Sequence, residues 1–138
     1  MRIKYETPIK LDLGCGAYKK DGFTGLDRLD FGQEIIFDVR NCIPLPDDSV
    51  TEIYSSHFFE HLTYSELEPL AEELKRVMTN DCVLTIRVPH KNTDGAWDYS
   101  HRSFWDEISM RSWLRSAGFN VLEINNLDGN LTSISKKL

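Results

Sequence analysis

The sequence predicts an α/β fold whose sheet is mostly parallel. Apolar runs of β type alternate with helical patterns along the chain, and each of the first five runs stops at a glycine, histidine or acidic residue or at a proline-histidine pair. Alternating strands and helices are typical of a parallel sheet packed against helices. A chain of 138 residues suits one domain, residues 1–138, and leaves little room for a second.

Five apolar runs predict the parallel strands. They cover residues 9–13, 23–26, 34–37, 52–56 and 83–88. In an open α/β sheet, the carboxyl ends of the strands form the crevice that binds ligands. We therefore expect the residues that follow these runs to gather along one edge. They are Gly14, Asp27, Asp38, His57 and His90.

Two apolar stripes of helical period predict the helices. The first covers residues 66–78 with Ser65 as its N-cap, because this start leaves Pro69 in the first turn, where its missing N–H is not needed. The second covers residues 106–117. Gly118 follows it at the position where a glycine ends a helix.

The end of the chain predicts a hairpin. Residues 120–127 and 131–138 are both β-like, and Asp128-Gly129 lies between them. Asp-Gly between two such runs is a strong hairpin signal. The parallel sheet therefore ends in one reversed strand.

Composition excludes several classes of function. The net charge is -6 and the isoelectric point is about 5.2, whereas a protein that follows a phosphate backbone carries a basic face. Three widely spaced cysteines form neither a disulfide framework nor a zinc pattern. No apolar run is long enough to span a membrane, and the start lacks a signal-peptide pattern. We expect a cytoplasmic protein that binds neither nucleic acid nor membrane.

A glycine turn follows the first strand. Residues 11–16 read Leu-Asp-Leu-Gly-Cys-Gly, but the third glycine of a dinucleotide fingerprint is replaced by Lys19. The six residues 17–22 are too few for the crossover helix on whose N-terminus a pyrophosphate would rest. The pattern favours an adenosyl ligand without phosphates over a nicotinamide dinucleotide.

Two acidic residues have binding roles in this scheme. Asp27 ends the second strand, where a carboxylate can accept hydrogen bonds from both hydroxyls of a ribose. Asp38 ends the third strand, close to where an adenine amino group would lie. The alternatives are a solvated turn residue for Asp27 and a cap or turn role for Asp38.

Five segments together resemble the motifs of class I S-adenosylmethionine-dependent methyltransferases, in the right order and over nearly the whole chain. They are residues 11–16, 43–50, 59–62, 73–78 and 117–119. The nearest subgroup is the compact "methyltransferase type 11"-like proteins, which share the shortened first crossover. The resemblance implies a Rossmann-like sheet of seven strands, mostly parallel, with an antiparallel last strand.

The resemblance also implies S-adenosylmethionine as the cofactor and places it on the chain. It implies that Gly14 and Gly16 pack against the methionine part, that Asp27 binds the ribose, and that Asp38 with Val39 lies at the adenine. The complete predicted cofactor set is Asp12, Gly14, Cys15, Gly16, Asp27, Arg28, Asp38, Val39 and His57. The implied activity is methyl transfer to an unidentified small-molecule or saccharide acceptor.

Three residues are the candidates for chemistry at the acceptor. His57 ends the fourth strand beside the expected methyl position, where it contacts the acceptor, acts as a base or shapes the methionine pocket. Asp98 and His101 lie in the loop 89–104 and could form an acid–base pair. The alternatives for this loop are a metal site made of His90, Asp98 and His101, and a packed loop with internal hydrogen bonds.

Two further functions stay open at this stage. The first is a non-catalytic module or partner subunit that binds an adenosyl ligand, and the second is a nicotinamide-dependent oxidoreductase. Only eight residues precede the first predicted strand, so helices that often cover the site are missing. This predicts a pocket that is open or is completed by a second subunit, as in a homodimer.

Overall fold

The computed structural model describes residues 1–138, which form eight strands and two α-helices. The strands are β1 (Arg2–Ile3), β2 (Ile9–Leu13), β3 (Thr24–Asp27), β4 (Ile35–Ile36), β5 (Val50–Ser56), β6 (Met78–Pro89), β7 (Phe119–Leu127) and β8 (Asn130–Lys137). The helices are α1 (Tyr64–Val77) and α2 (Glu107–Ser116), and short 3₁₀ turns cover Phe59–His61 and Asp94–Trp97. Neither α-helix combines the length and the apolar character needed to cross a bilayer.

One sheet contains all eight strands in the order β1-β4-β3-β2-β5-β6-β8-β7. Strands β4, β3, β2, β5 and β6 are parallel neighbours, and β8 runs antiparallel to both β6 and β7. The predicted mostly parallel sheet with a reversed last strand is confirmed. The predicted number of strands is one too low, because β1 pairs antiparallel with β4 through only two residues, too few to show a strand pattern.

The core lies on one face of the sheet, under the apolar stripes of the two helices. Leu11, Ile53 and Leu84 are register neighbours on β2, β5 and β6, and all three are fully buried. Each next position along these strands points to the opposite face. There Tyr54 and Thr85 are only half-buried. The sheet is therefore packed on one side, and its carboxyl edge stays accessible.

Helix α1 starts two residues earlier than the sequence predicts. Thr63 is the N-cap, with a reciprocal capping box in which Thr63 Oγ1 accepts the N–H of Glu66 at 3.2 Å and Glu66 Oε1 accepts the N–H of Thr63 at 3.0 Å. Pro69 therefore lies inside the helix, and the C=O of Ser65 lacks its helical donor. Ser65 is exposed, so water can make that bond and the two hydrogen bonds of the box decide the start.

The predicted second helix and the shortened first crossover are confirmed. Asp106 caps α2, and Gly118 follows its C-terminus with a φ of +94°, a conformation that glycine adopts without steric cost. No helix lies between β2 and β3. The chain instead makes a tight turn at Gly14 and returns directly to the neighbouring strand.

Candidate functional site

A cavity of about 390 Å³ opens at the carboxyl ends of β2, β3 and β5. This volume is within the range of roughly 300–1,000 Å³ that is usual for small-molecule sites. Seven of the nine residues predicted to bind the cofactor line it. They are Gly14, Gly16, Asp27, Arg28, Asp38, Val39 and His57. The structure thus brings most of the predicted site together, as expected for strands that end at one edge.

Backbone hydrogen bonds hold the glycine turn against β3. The N–H groups of Gly14 and Cys15 both donate to the C=O of Leu26, at 2.8 and 3.2 Å. The N–H of Gly16 donates to Asp27 Oδ2 at 3.0 Å. A dinucleotide site needs such amides, and the start of a helix, to hold its pyrophosphate. All three amides here bond within the protein and no helix follows, which counts against the nicotinamide alternative.

Gly14 allows Phe58 to reach the wall of the cavity. A Cβ atom on Gly14 would lie 2.3 Å from Cγ of Phe58, and the φ of Gly14 is +68°. Only glycine therefore fits here. Phe58, which sequence reasoning missed, lies beside Gly14 and His57 in the lining. Its sequence signal is its position directly after His57, the first residue beyond β5.

Asp27 supports the glycine turn and still has capacity for a ligand. Its Oδ2 accepts from Gly16 and its Oδ1 accepts the N–H of Leu29 at 3.0 Å. A carboxylate has about four lone-pair sites. Each oxygen can therefore accept one more hydrogen bond from a group in the cavity.

Asp38 is held by an arginine that sequence reasoning missed. Arg40 Nε lies 3.0 Å from Asp38 Oδ1, and Arg40 Nη2 lies 2.6 Å from Asp38 Oδ2. These bonds are the main reason that the pKa of Asp38 lies below its usual value. Next to it, Val39 is buried and its backbone N–H donates no hydrogen bond within the protein. Asp38 and Val39 thus offer an acceptor and a donor side by side.

Asp12 and Cys15 are not part of the cavity lining, and their contact with the cofactor stays a prediction. Asp12 is buried, its Oδ2 accepts the N–H of Lys20 at 2.8 Å, and burial raises its pKa. Burial and the nearby carboxylates raise the pKa of the Cys15 thiol to about 12. Its Sγ lies 2.9 Å from where a Cβ on Gly25 would stand, so the thiol fills space beside β3.

His57 lies at the cavity, as the sequence predicts. Its backbone has a φ of +58°, and its N–H donates to the C=O of Arg87 at 2.8 Å, just beyond the end of β5. The side chain is 46% exposed, and Nδ1 lies 3.4 Å from Glu60 Oε2. The imidazole can therefore reach both the cavity and a buried carboxylate.

No hydrogen bond or ion pair joins the side chains of Asp98 and His101, so their role as an acid–base pair stays a prediction. Asp98 Oδ1 accepts from the N–H and the hydroxyl of Ser100, which lowers the pKa of Asp98. His101 Nδ1 lies 2.9 Å from the C=O of Ala96, and Nε2 lies 4.0 Å from Glu60 Oε2. The carboxylate that faces His101 is thus Glu60, which belongs to the 3₁₀ turn after β5.

His90 directly follows β6, as the sequence predicts, but it is not part of the cavity lining. It is buried, and its Nε2 lies 2.6 Å from Glu107 Oε1 at the start of α2. Strand β6 continues to Pro89, and His90 then bridges to Trp105, which directs it away from the cavity. The metal set of His90, Asp98 and His101 is therefore not assembled.

Comparison with solved structures identifies the fold. A SAM-dependent methyltransferase from Aquifex aeolicus superposes with a TM-score of 0.75 at 21% identity, covering 94% of this chain and 82% of that one. A SAM-dependent methyltransferase from Archaeoglobus fulgidus gives a TM-score of 0.74 at 17% identity, covering 94% of this chain and 86% of that one. The 1,6-didemethyltoxoflavin-N1-methyltransferase of Burkholderia thailandensis, with bound 1,6-didemethyltoxoflavin and S-adenosylhomocysteine, gives 0.75 at 15%, covering 94% and 70%.

No protein-family model and no curated protein matches the sequence. The structural likeness nevertheless extends over almost the whole chain. The protein has the Rossmann-like fold of class I S-adenosylmethionine-dependent methyltransferases, as its sequence motifs predict.

Proposed function

We propose that this protein is an S-adenosylmethionine-dependent methyltransferase that acts on a small-molecule or saccharide acceptor. The observation that carries the proposal is the cavity at the carboxyl edge of a methyltransferase fold, lined by the glycine turn, Asp27 and Asp38. Fold alone does not assign chemistry. The groups in the cavity must therefore suit the cofactor.

The lining suits each part of S-adenosylmethionine. Nothing lies within 4 Å of a Cβ position on Gly16, so this side of the turn has room for the methionine part. The unused lone pairs of Asp27 can accept the two ribose hydroxyls. The N–H of Val39 and the carboxylate of Asp38 can bind the acceptor and donor edges of adenine. These residues match the chemistry of an uncharged nucleoside without phosphates.

In the chemical step the protein mainly has to position the acceptor. S-adenosylmethionine supplies an activated methyl group when it is bound, so rate comes mainly from holding the acceptor in line with it. His57 is our candidate for contact with the acceptor, because its half-exposed imidazole lies at the cavity wall. It acts as a base only for an acceptor that must lose a proton.

Three free cysteines and the acidic net charge support two further expectations, a cytoplasmic location and no nucleic-acid substrate. We also propose that a second copy of the chain can complete the open pocket. Sedimentation with and without cofactor would show this as a ligand-dependent dimer.

Calorimetric titration tests the cofactor first. S-adenosylmethionine and S-adenosylhomocysteine should each bind once per chain, and NAD should not bind. Release of S-adenosylhomocysteine should then be followed with small molecules and activated sugars as acceptors. Binding of neither adenosyl ligand would overturn the proposal. Binding without turnover on any acceptor would favour the alternative of a non-catalytic adenosyl-ligand module.

A further inference from the structure

Glu60 is a buried carboxylate without a hydrogen-bond donor. The residue is 1% exposed, and neither Oε atom has a hydrogen-bond partner in the protein. Burying an unpaired carboxylate is costly, and buried charges are generally paired or coordinate metals. The charge of this side chain therefore needs a partner that the hydrogen bonds of the fold do not supply.

Imidazole groups surround this carboxylate. Oε2 lies 3.4 Å from Nδ1 of His57 and 4.0 Å from Nε2 of His101. The rings of His61 and His101 meet edge-on with centroids 4.7 Å apart. Donor atoms of Glu60, His61 and His101 all lie within 4.8 Å of one another. Three of the four histidines of the chain thus converge on one carboxylate.

His101 is oriented as a metal ligand would be. Its Nδ1 lies 2.9 Å from the C=O of Ala96. A carbonyl oxygen can only accept, so Nδ1 carries a proton, and in the neutral ring Nε2 then presents a lone pair toward Glu60. A backbone carbonyl that fixes the other ring nitrogen is a common support of metal-binding histidines.

Hydrogen bonds fix the two segments that carry these groups. The C=O of Glu60 accepts the N–H groups of Arg102 and Ser103, at 2.7 and 3.1 Å. The hydroxyl of Ser103 donates to the C=O of Phe59 at 3.1 Å. The loop with His101 is therefore bonded directly onto the turn with Glu60, and the cluster is built into the fold.

We propose that Glu60, His61 and His101 bind one divalent transition-metal ion of the zinc type. Two imidazoles and one carboxylate suit zinc and its first-row neighbours better than magnesium or calcium, which prefer oxygen ligands. Ligand atoms of a tetrahedral zinc site lie roughly 3.3 Å apart, because each is about 2.0–2.1 Å from the ion. The donor atoms now lie within 4.8 Å of one another, so metal binding requires the exposed side chain of His61 to rotate inward.

The ion would lie at the wall of the cavity. His57 and His61 both belong to the cavity lining, whereas Glu60 and His101 lie behind them. Three protein ligands leave a position open for water or an oxygen of a small molecule. The site is defined by these side chains alone and does not depend on the proposed methyl transfer.

An ion pair without metal is the competing explanation. A protonated His57 or His101 could neutralise Glu60 by itself. The two explanations differ in whether the protein binds Zn²⁺ and whether that binding is lost in Glu60→Gln. Glutamine keeps the shape of the side chain, removes the charge, and would abolish a metal site.

Calorimetry of the chelator-treated full chain with ZnCl₂ tests the proposal, with MgCl₂ for comparison. We expect one Zn²⁺ per chain and weak or no binding of Mg²⁺. Glu60→Gln and His101→Ala should weaken Zn²⁺ binding by more than the roughly 10–100-fold that loss of an outer-shell partner costs. His90→Gln is the matched control, since His90 pairs with Glu107 outside the cluster, and it should bind as the wild type does.

A second readout keeps the test valid if a variant folds poorly. Co²⁺ should give a visible spectrum of a nitrogen-oxygen site of low coordination number in the wild type and in His90→Gln, and not in His61→Ala. Absence of stoichiometric Zn²⁺ binding would overturn the proposal. So would wild-type affinity in a folded Glu60→Gln protein, and either result would leave the ion pair as the role of this cluster.

Discussion

The carboxylate of Asp27 accepts the N–H of Gly16 at 3.0 Å, so the end of β3 holds the glycine turn that follows β2. One side chain thereby shapes the turn and faces the cavity with its remaining lone pairs. The turn and the proposed ribose site cannot be altered independently at this position.

Replacing Asp27 by alanine should therefore weaken adenosyl-ligand binding. Hydrogen bonds to a charged group contribute about 1.5–3 kcal/mol, so the affinity for S-adenosylhomocysteine should fall by about 10- to 100-fold. Calorimetry measures this directly. Asp30→Ala is the control, because Asp30 lies in the next turn and bonds only to Gly32 and Arg2. An unchanged affinity in Asp27→Ala would remove the ribose assignment.

The two glycines of the turn should respond differently to alanine. Both have positive φ, so each substitution incurs backbone strain of about 1–2 kcal/mol. Only at Gly14 does the new Cβ overlap Phe58, which adds roughly 1–3 kcal/mol, whereas Gly16 has open space around it. Urea unfolding should show a larger loss for Gly14→Ala than for Gly16→Ala.

The double variant Gly14→Ala with Phe58→Ala separates overlap from strain. Removing the ring should relieve the overlap, so the loss caused by Gly14→Ala should be smaller in the Phe58→Ala background than in the wild type. Equal losses in the free energy of unfolding for Gly14→Ala and Gly16→Ala would contradict the close contact between Gly14 and Phe58. So would an equal loss for Gly14→Ala in the wild type and in the Phe58→Ala background.

Arg40 should control the acidity of Asp38. Its hydrogen bonds are the first cause of the lowered pKa of Asp38, so Arg40→Ala should move that pKa up toward its ordinary value. Carboxyl NMR titration of Asp38 measures the change. Arg28→Ala is the matched control. Arg28 lowers the pKa of Asp38 only through its charge and is the weakest cause of that shift, so its removal should give a smaller rise of this pKa. Rises of equal size would argue against the Arg40 hydrogen bonds.

Asp106 should stabilise α2 in a manner that depends on pH. It caps the helix through the N–H of Ser109, and Lys91 Nζ lies 2.8 Å from its Oδ2. The hydrogen bond from Lys91, followed by the one from the N–H of Ser109, lowers the pKa of Asp106 from 3.8 to about 2. The depressed pKa means that the stabilisation is present above the unfolded-state value of 3.8 and is lost as pH falls toward 2.

Asp106→Ala should lower the free energy of unfolding by about 0.5–2 kcal/mol at pH 7, the usual cost of losing an N-cap. Urea unfolding between pH 7 and pH 3 should show this difference shrinking below the ordinary pKa of Asp106. Asp106→Asn retains a good capping group and should lose only the attraction to Lys91. A difference that does not change with pH would contradict the role of the carboxylate charge.

Much of the fold could be predicted because its signals are local. The bounds of β2, the hairpin at Asp128-Gly129 and the glycine that follows α2 depend on side-chain alternation and turn chemistry within a few residues. The predicted start of α1 was wrong, and the reason is also local. Thr63 and Ser65 are both acceptable caps, and the reciprocal bonds to Glu66 outweigh the cost of Pro69 inside the helix.

The sequence by itself determined which residues follow the parallel strands at the carboxyl edge, and Gly14, Asp27, Asp38 and His57 among them line the cavity. Only the tertiary structure decided which groups meet there: Asp12 accepts the N–H of Lys20, and Glu60 meets His101. Strand ends are aligned because neighbouring parallel strands share a hydrogen-bond register, and the apolar runs in the sequence indicate where each strand ends. The meeting of a turn after β5 with a loop after β6 depends on how the two segments bond across the sheet edge, which no local pattern encodes.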